Sequence, residues 1–306
     1  MERYRFKNKT GDYVYYLKWK TASPKASLVI AHGMIEHPER YDHFAKYLND
    51  NNIDVYAIYH IGHGEVAEVL NHMGEGDFDK CISNLNELVE LAKQENEQVP
   101  VILLGHSMGS MMCQHYNTRY RNIDGLILSG STKSKLLFKA GSVLATVVTA
   151  FTKDKTKPCK FLYKIAFGMY NSHFKNPRTE FDWLCGNEEI VDKYLANPYC
   201  SGICSASFYK NVMTGMATMG EKKRLKNIDK NLPIFIYGGS CDAVADMGKG
   251  FYALEKQYKK IGVKKVKLIV YPGLRHEVHN EKNNGPVYCN VVRFADAVIR
   301  IGERKA

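Results

Sequence analysis

The chain has 306 residues, 45% of them hydrophobic, which suits one α/β core carrying an insertion. No run of 18 apolar residues is present, so no membrane-spanning helix is expected, and Met1-Glu2-Arg3-Tyr4-Arg5-Phe6-Lys7 lacks the apolar stretch of a secretory signal. The formal charge of +11 comes from dispersed lysines without a zinc-finger, RRM or basic-helix pattern, so no nucleic-acid partner is expected; the charge implies a basic solvated surface or attraction to anionic lipid or substrate.

Arg3 to Trp19 reads as a β-hairpin, with aromatic and β-branched residues in Tyr13-Val14-Tyr15-Tyr16-Leu17 and a turn at Lys9-Thr10-Gly11-Asp12. Ala26 to Ala31 is a short apolar strand ending at His32-Gly33. Arg40 to Asn51 is amphipathic, with Phe44, Tyr47 and Leu48 at helical spacing. Ile53 to Ile58 is the next strand, and Phe78 to Asn96 a helix striped by Ile82, Leu85, Leu88, Val89 and Ala92. A strand from Val99, a helix from Ser110 and a strand over Ile123 to Leu128 follow. After a gap the alternation resumes: strand Leu232 to Tyr237, helix Asp246 to Ile261, strand Val266 to Tyr271, and a last helix from about Val287 to Arg300. Strands alternating with helices predict a mostly parallel sheet covered on both faces, with right-handed crossovers.

The interruption divides the chain into a core, residues 1–130 and 226–306, and a mainly helical insertion over 131–225. Ser131 to Arg224 holds 15 Lys and Arg against 7 Asp and Glu, so +8 of the net charge lies there. Its apolar run Ala140 to Phe151 is flanked by Lys133, Lys135 and Lys139, then by Lys153, Lys155 and Lys157. Twelve residues cannot span a bilayer; the run is either a helix packed on the core or a surface that touches lipid. The eight cysteines are scattered without a CxxC pair, and Cys200 and Cys204 lack the further ligands of a zinc site. They read as reduced thiols of a cytoplasmic protein.

The chemistry concentrates at Gly105-His106-Ser107-Met108-Gly109. Strand, G-x-S-x-G, helix is the setting of a nucleophile elbow, where a serine sits on a sharp turn and glycines avoid β-carbon clashes. A serine alcohol needs a base, and the base an orienting acid. Asp242 follows the strand Leu232 to Tyr237, and His276 follows the strand Val266 to Tyr271. Three strand ends thus deliver Ser107, Asp242 and His276 to one sheet edge, in the chain order of such sites. His279 is the rival base and Asp246 the rival acid; each of Asp242 and His276 taken alone also fits an ordinary turn. The spacing His276-Glu277-Val278-His279 falls one residue short of the HExxH zinc pattern. The oxyanion hole requires two backbone amides, for which Met108, after the nucleophile, and Met34, in His32-Gly33-Met34, are the candidates.

Together His32-Gly33-Met34-Ile35-Glu36-His37-Pro38-Glu39-Arg40-Tyr41, Ile61-Gly62-His63-Gly64, the serine pentapeptide, Gly239-Ser240-Cys241-Asp242 and His276 resemble the monoacylglycerol lipase and lysophospholipase-like branch of the α/β-hydrolases, often grouped with the serine aminopeptidases. Phe181-Asp182-Trp183-Leu184 and Asn197-Pro198 are similar to cap segments of bacterial members. Tyr59-His60 stand where the family usually has an aspartate before its G-H-G segment. The resemblance implies the α/β-hydrolase fold, hydrolysis of carboxylic esters of lipid-like acylglycerols or lysophospholipids without a metal or organic cofactor, and a cap that roofs the site; peripheral contact of the cap with lipid rests instead on the lipid reading of Ala140 to Phe151 and its flanking lysines. Two alternatives stay open: an amide hydrolase that binds a free amino terminus through Glu188, Glu189 and Asp192, and a non-catalytic binding protein on the same scaffold.

Overall fold

A computed structural model describes residues 1–133 and 136–304. One eight-stranded sheet organises the chain, in the spatial order β1-β2-β4-β3-β5-β6-β7-β8. Strands β1 (Glu2–Lys7) and β2 (Tyr13–Trp19) form the expected antiparallel hairpin, and β2 runs antiparallel to β4 (Ile53–Ile58). From β4 onward every pairing is parallel, through β3 (Ala26–Ala31), β5 (Val101–His106), β6 (Gly125–Ser129), β7 (Ile234–Gly239) and β8 (Val266–Tyr271). Strands β3 to β7 are buried along their whole length, which is why they read as unbroken apolar runs rather than alternating ones.

Helices cover both faces. On one side α2 (Asp77–Glu95) and α3 (Met108–Tyr116) bury Ile82, Leu85, Val89, Met111 and Met112 against the sheet. On the other, α1 (Asp42–Asp50) and α10 (Gly285–Glu303) bury Phe44, Leu48, Val291 and Ala295. This is the α/β-hydrolase fold. Element ends shift where backbone chemistry demands it. Strand β7 starts after Pro233, which has no N–H for the ladder. The helix expected from Asp246 starts only at Lys249 (α9, Lys249–Lys260), because Asp246, Met247 and Gly248 are consecutive left-handed residues at φ 55, 51 and 82°.

Between β6 and β7 lie α4 (Leu136–Phe151), α5 (Lys160–Phe167), α6 (Glu188–Ala196), α7 (Ala206–Thr218) and the short α8 (Lys222–Leu225). Helix α7 joins the main core: Phe208 and Val212 are fully buried, and the His115 ring lies 2.6 Å from the Gly215 carbonyl. Helix α4 lies on α7, with Ser142 Oγ 2.8 Å from Thr214 Oγ1. Lys135, expected among the flanking lysines, lies outside the described residues. Among the described residues no helix is long and apolar enough to cross a membrane.

Candidate active site

Ser107 stands between the end of β5 and the first residue of α3, at φ 51° and ψ −121°. A serine there stores local strain, which the surrounding bonds sustain. Ser107 N–H donates to the Ser129 carbonyl at 3.0 Å, and the Ser107 carbonyl accepts from Ser110 N–H at 2.9 Å and Ser110 Oγ at 2.6 Å. The flanking glycines permit the turn: a β-carbon on Gly109 would lie 2.0 Å from the Ala31 carbonyl oxygen, and one on Gly105 2.6 Å from Ser110 Cα.

Asp242 lies on the loop after β7 and His276 on the loop after β8, and both are fully buried. The imidazole Nδ1 is 3.0 and 2.9 Å from the two carboxylate oxygens of Asp242. Asp242 Oδ1 also accepts from the amides of Val244 and Ala245, at 2.9 and 3.2 Å, which fixes the carboxylate. The loops can approach because position 239 is glycine; a β-carbon there would meet the Leu274 carbonyl oxygen at 1.9 Å. Burial alone would lower the His276 pKa, but the Asp242 charge and hydrogen bond outweigh it, and the net shift is upward. Among the described residues Nε2 of His276 has no hydrogen-bond partner, and His276 and Ser107 line the same cavity.

The rivals separate from this pair. Asp246 is an exposed turn residue. His279 stacks on Tyr41, with ring centroids 4.9 Å apart, and burial pushes its pKa down to about 4. Met34 and Met108 both line the cavity. Met108 opens α3, so its amide has no acceptor within the helix. Met34 precedes Ile35, whose φ of 59° is unusual for a β-branched residue and bends the loop. Glu188, Glu189 and Asp192 lie exposed on or beside α6, outside the cavity lining, with Asp192 paired to Arg178 at 2.7 Å.

Sequence reasoning missed a buried ion network under this loop. Arg40 donates to both oxygens of Glu277, at 2.7 and 2.6 Å, and to Glu36 at 2.8 Å. Glu36 in turn accepts from Gly33 N–H and from Tyr41 OH. Burial pushes Glu277 up, but the guanidinium prevails and holds it at about 2. The only trace in the sequence is the helical spacing of Glu36 and Arg40; their partner is 237 residues away from Arg40. Also missed was the aromatic wall Phe167, Tyr170 and Trp183, which with Met111, Phe138 and Met213 makes the cavity predominantly apolar. The cavity encloses about 80 Å³.

The family model described as "Serine aminopeptidase, S33" matches residues 22–283. The chain belongs to that family. Within it, the chain is similar to a monoacylglycerol lipase of Mycolicibacterium smegmatis, 25% identical over 286 residues that cover 93% of each chain. It is also similar to the monoglyceride lipase of Rattus norvegicus, 26% identical over 90% of this chain and 83% of that one. Among solved structures, a thermostable carboxyl esterase from Bacillus coagulans superposes with a TM-score of 0.90 at 23% identity, over 97% of this chain and 98% of that one. The family's lipase-like branch is thus where the chain sits.

Proposed function

We propose that the chain hydrolyses carboxylic esters of acylglycerol or lysophospholipid type through an acyl-enzyme on Ser107. His276 Nε2 takes the Ser107 proton as Oγ bonds to the ester carbonyl carbon, and Asp242 stabilises the resulting imidazolium. The amides of Met34 and Met108 bind the oxyanion. The carbon–oxygen bond to the alcohol breaks, His276 returns the proton to the leaving alkoxide, and water activated by the same imidazole releases the acid. The observation that carries the reading is the His276 imidazole, held on Asp242 by Nδ1 and unpartnered at Nε2, in one apolar cavity with Ser107. The lipase names of the curated relatives support the substrate class.

Ester is favoured over a peptide with a free amino terminus because the two acids lining the cavity, Glu36 and Glu277, are both already bonded to Arg40 and so are not free to receive an ammonium group. The test compares 1-monoacylglycerols with aminoacyl anilides, using wild type and Ser107→Ala. Ester turnover that Ser107→Ala abolishes, with no anilide turnover, is the expected result; the reverse preference refutes the ester assignment.

The insertion over 131–225 acts as the cap of this site and touches lipid peripherally, consistent with a cytoplasmic enzyme. Val143, Val147 and Phe151 form one outward stripe of α4, 67, 49 and 86% exposed, near Lys139 and Lys153. Phe161 and Ile165 on α5, and Met169 just after it, are further exposed apolar side chains. Val148, by contrast, packs inward on the core. Charged residues at 143, 147 and 151 are therefore expected to reduce co-sedimentation with anionic vesicles; unchanged binding overturns the lipid contact.

A further inference from the structure

The two chain neighbours of His276 are bonded to the two sides of one short piece of the insertion. Arg275 Nη1 donates to the Asp182 carbonyl and, at 3.3 Å, to the Cys185 carbonyl. Glu277 N–H donates to the Leu184 carbonyl at 2.7 Å. All three acceptors bracket Trp183, a residue 5% exposed that lines the cavity. Its ring centroid lies 5.5 Å from that of His276, and Phe167 and Tyr170 back it at 5.9 and 4.8 Å. Arg275 is itself fixed. Its amide donates to the buried Glu281 carboxylate at 2.9 Å, and its guanidinium lies 4.4 Å over the Phe174 ring.

We propose that Arg275 is a positioning residue for His276, acting through Trp183. A guanidinium suits this task because one planar group can donate to two carbonyls in fixed directions, and donors that carry charge make the stronger bonds. The carbonyls locate residues 182 to 185, and those locate the indole against the imidazole. The indole fills the space into which the ring would swing, so His276 keeps Nδ1 on Asp242 and Nε2 toward Ser107. It follows that this part of the insertion moves with the catalytic loop, whereas the outward-facing α4 is not tied to that loop by these bonds. The inference rests on the role given to His276 above.

Two readouts separate positioning from mere stability. The chain contains 2 tryptophans, Trp19 and Trp183, so subtracting the emission of each protein's Trp183→Phe counterpart isolates Trp183. Indole emission is quenched by a protonated imidazole in contact with it. In the wild type, Trp183 emission falls as His276 protonates, and His276→Asn abolishes the fall. In Arg275→Met the quench loses at least half its amplitude in protein that remains folded by circular dichroism. For a small ester such as p-nitrophenyl acetate, kcat drops about tenfold while KM changes less than about twofold, as expected for a misaligned base. Arg275→Lys, which keeps the charge but lacks the planar Nη1 that donates to both carbonyls, recovers part of both signals. A full quench with unchanged kcat in Arg275→Met overturns the proposal, as does a kcat loss that tracks only the folded fraction. Failure of the hydrolase reading is recognised separately, by a wild type that turns over no ester whatever the Trp183 signal does.

Discussion

Arg40→Met removes the one cation shared by two buried carboxylates. The Arg40 side chain is 10% exposed and those of Glu36 and Glu277 3% each, so solvent cannot replace it. Glu277 is held at about 2 instead of the ordinary 4.5, and that difference corresponds to about 3 kcal/mol at neutral pH. That net value already includes the opposing burial penalty, so it is a lower bound on what Arg40 supplies, and deleting one partner of a buried pair costs roughly 3–5 kcal/mol. For a chain of 306 residues the expected fall in Tm is about 5–8 °C. The sign with pH is also fixed. A depressed carboxyl pKa adds stability above pH 4.5 that is lost as pH falls toward 2, so the gap between variant and wild type is full at pH 7 and narrows below pH 4.5. Urea unfolding of both proteins at pH 7 and at pH 4 measures it. A Tm loss under 2 °C, or a gap that widens in acid, would falsify the reasoning.

Other outcomes follow from the same contacts. Asp242→Asn leaves the loop folded but removes the carboxylate that raises His276, so kcat falls by about 10³–10⁴ and the acidic limb of kcat/KM moves downward; a limb that stays in place contradicts the assigned pairing. His60 and His63 sit buried beside His32, with burial pushing them down to about 3 and about 4. Neutral in the fold and ordinary when unfolded, they contribute stability above pH 6.5 that drains away as pH falls toward 4, about 2 kcal/mol for each by pH 5. Neither ring nitrogen of His60 has a partner among the described residues, so His60→Phe is expected to shrink the stability loss between pH 7 and pH 5 by about that amount. An undiminished loss rules the histidine out as its source. Gly239→Ala, whose β-carbon would lie 1.9 Å from the Leu274 carbonyl oxygen, is expected to separate the loops carrying Asp242 and His276 and to abolish activity; near-normal turnover counts against that close approach.

The sheet was legible because parallel strands buried on both faces must be apolar throughout, and because catalytic loops follow strand ends. Ser107 stood out by its G-x-S-x-G elbow, and Asp242 and His276 by following strand ends in the chain order such sites share. Boundaries were less legible where the backbone left ordinary conformations, as in the left-handed run Asp246, Met247 and Gly248 that delays α9. The insertion was least legible. Its helices had no sheet to give them a period, and the apolar run divided its residues, Val147 facing out and Val148 in. Arg275 carried no sequence signal and Arg40 only its spacing from Glu36, since their remaining partners lie 90 or more residues away and neither helical nor strand spacing reports such pairing. Glu188, Glu189 and Asp192, the acids the sequence offers for an amine site, lie exposed on α6 and outside the cavity lining.

The central claim is that Ser107 is a nucleophile activated by His276. A fluorophosphonate, which bonds only to an activated serine oxygen, tests it directly, with the adduct located by peptide mass spectrometry. One adduct on Ser107 is expected in the wild type, a rate of labelling at least about 10³ lower in His276→Ala, and none in Ser107→Ala. A folded wild type that stays unlabelled, or carries its adduct on another residue, contradicts the account.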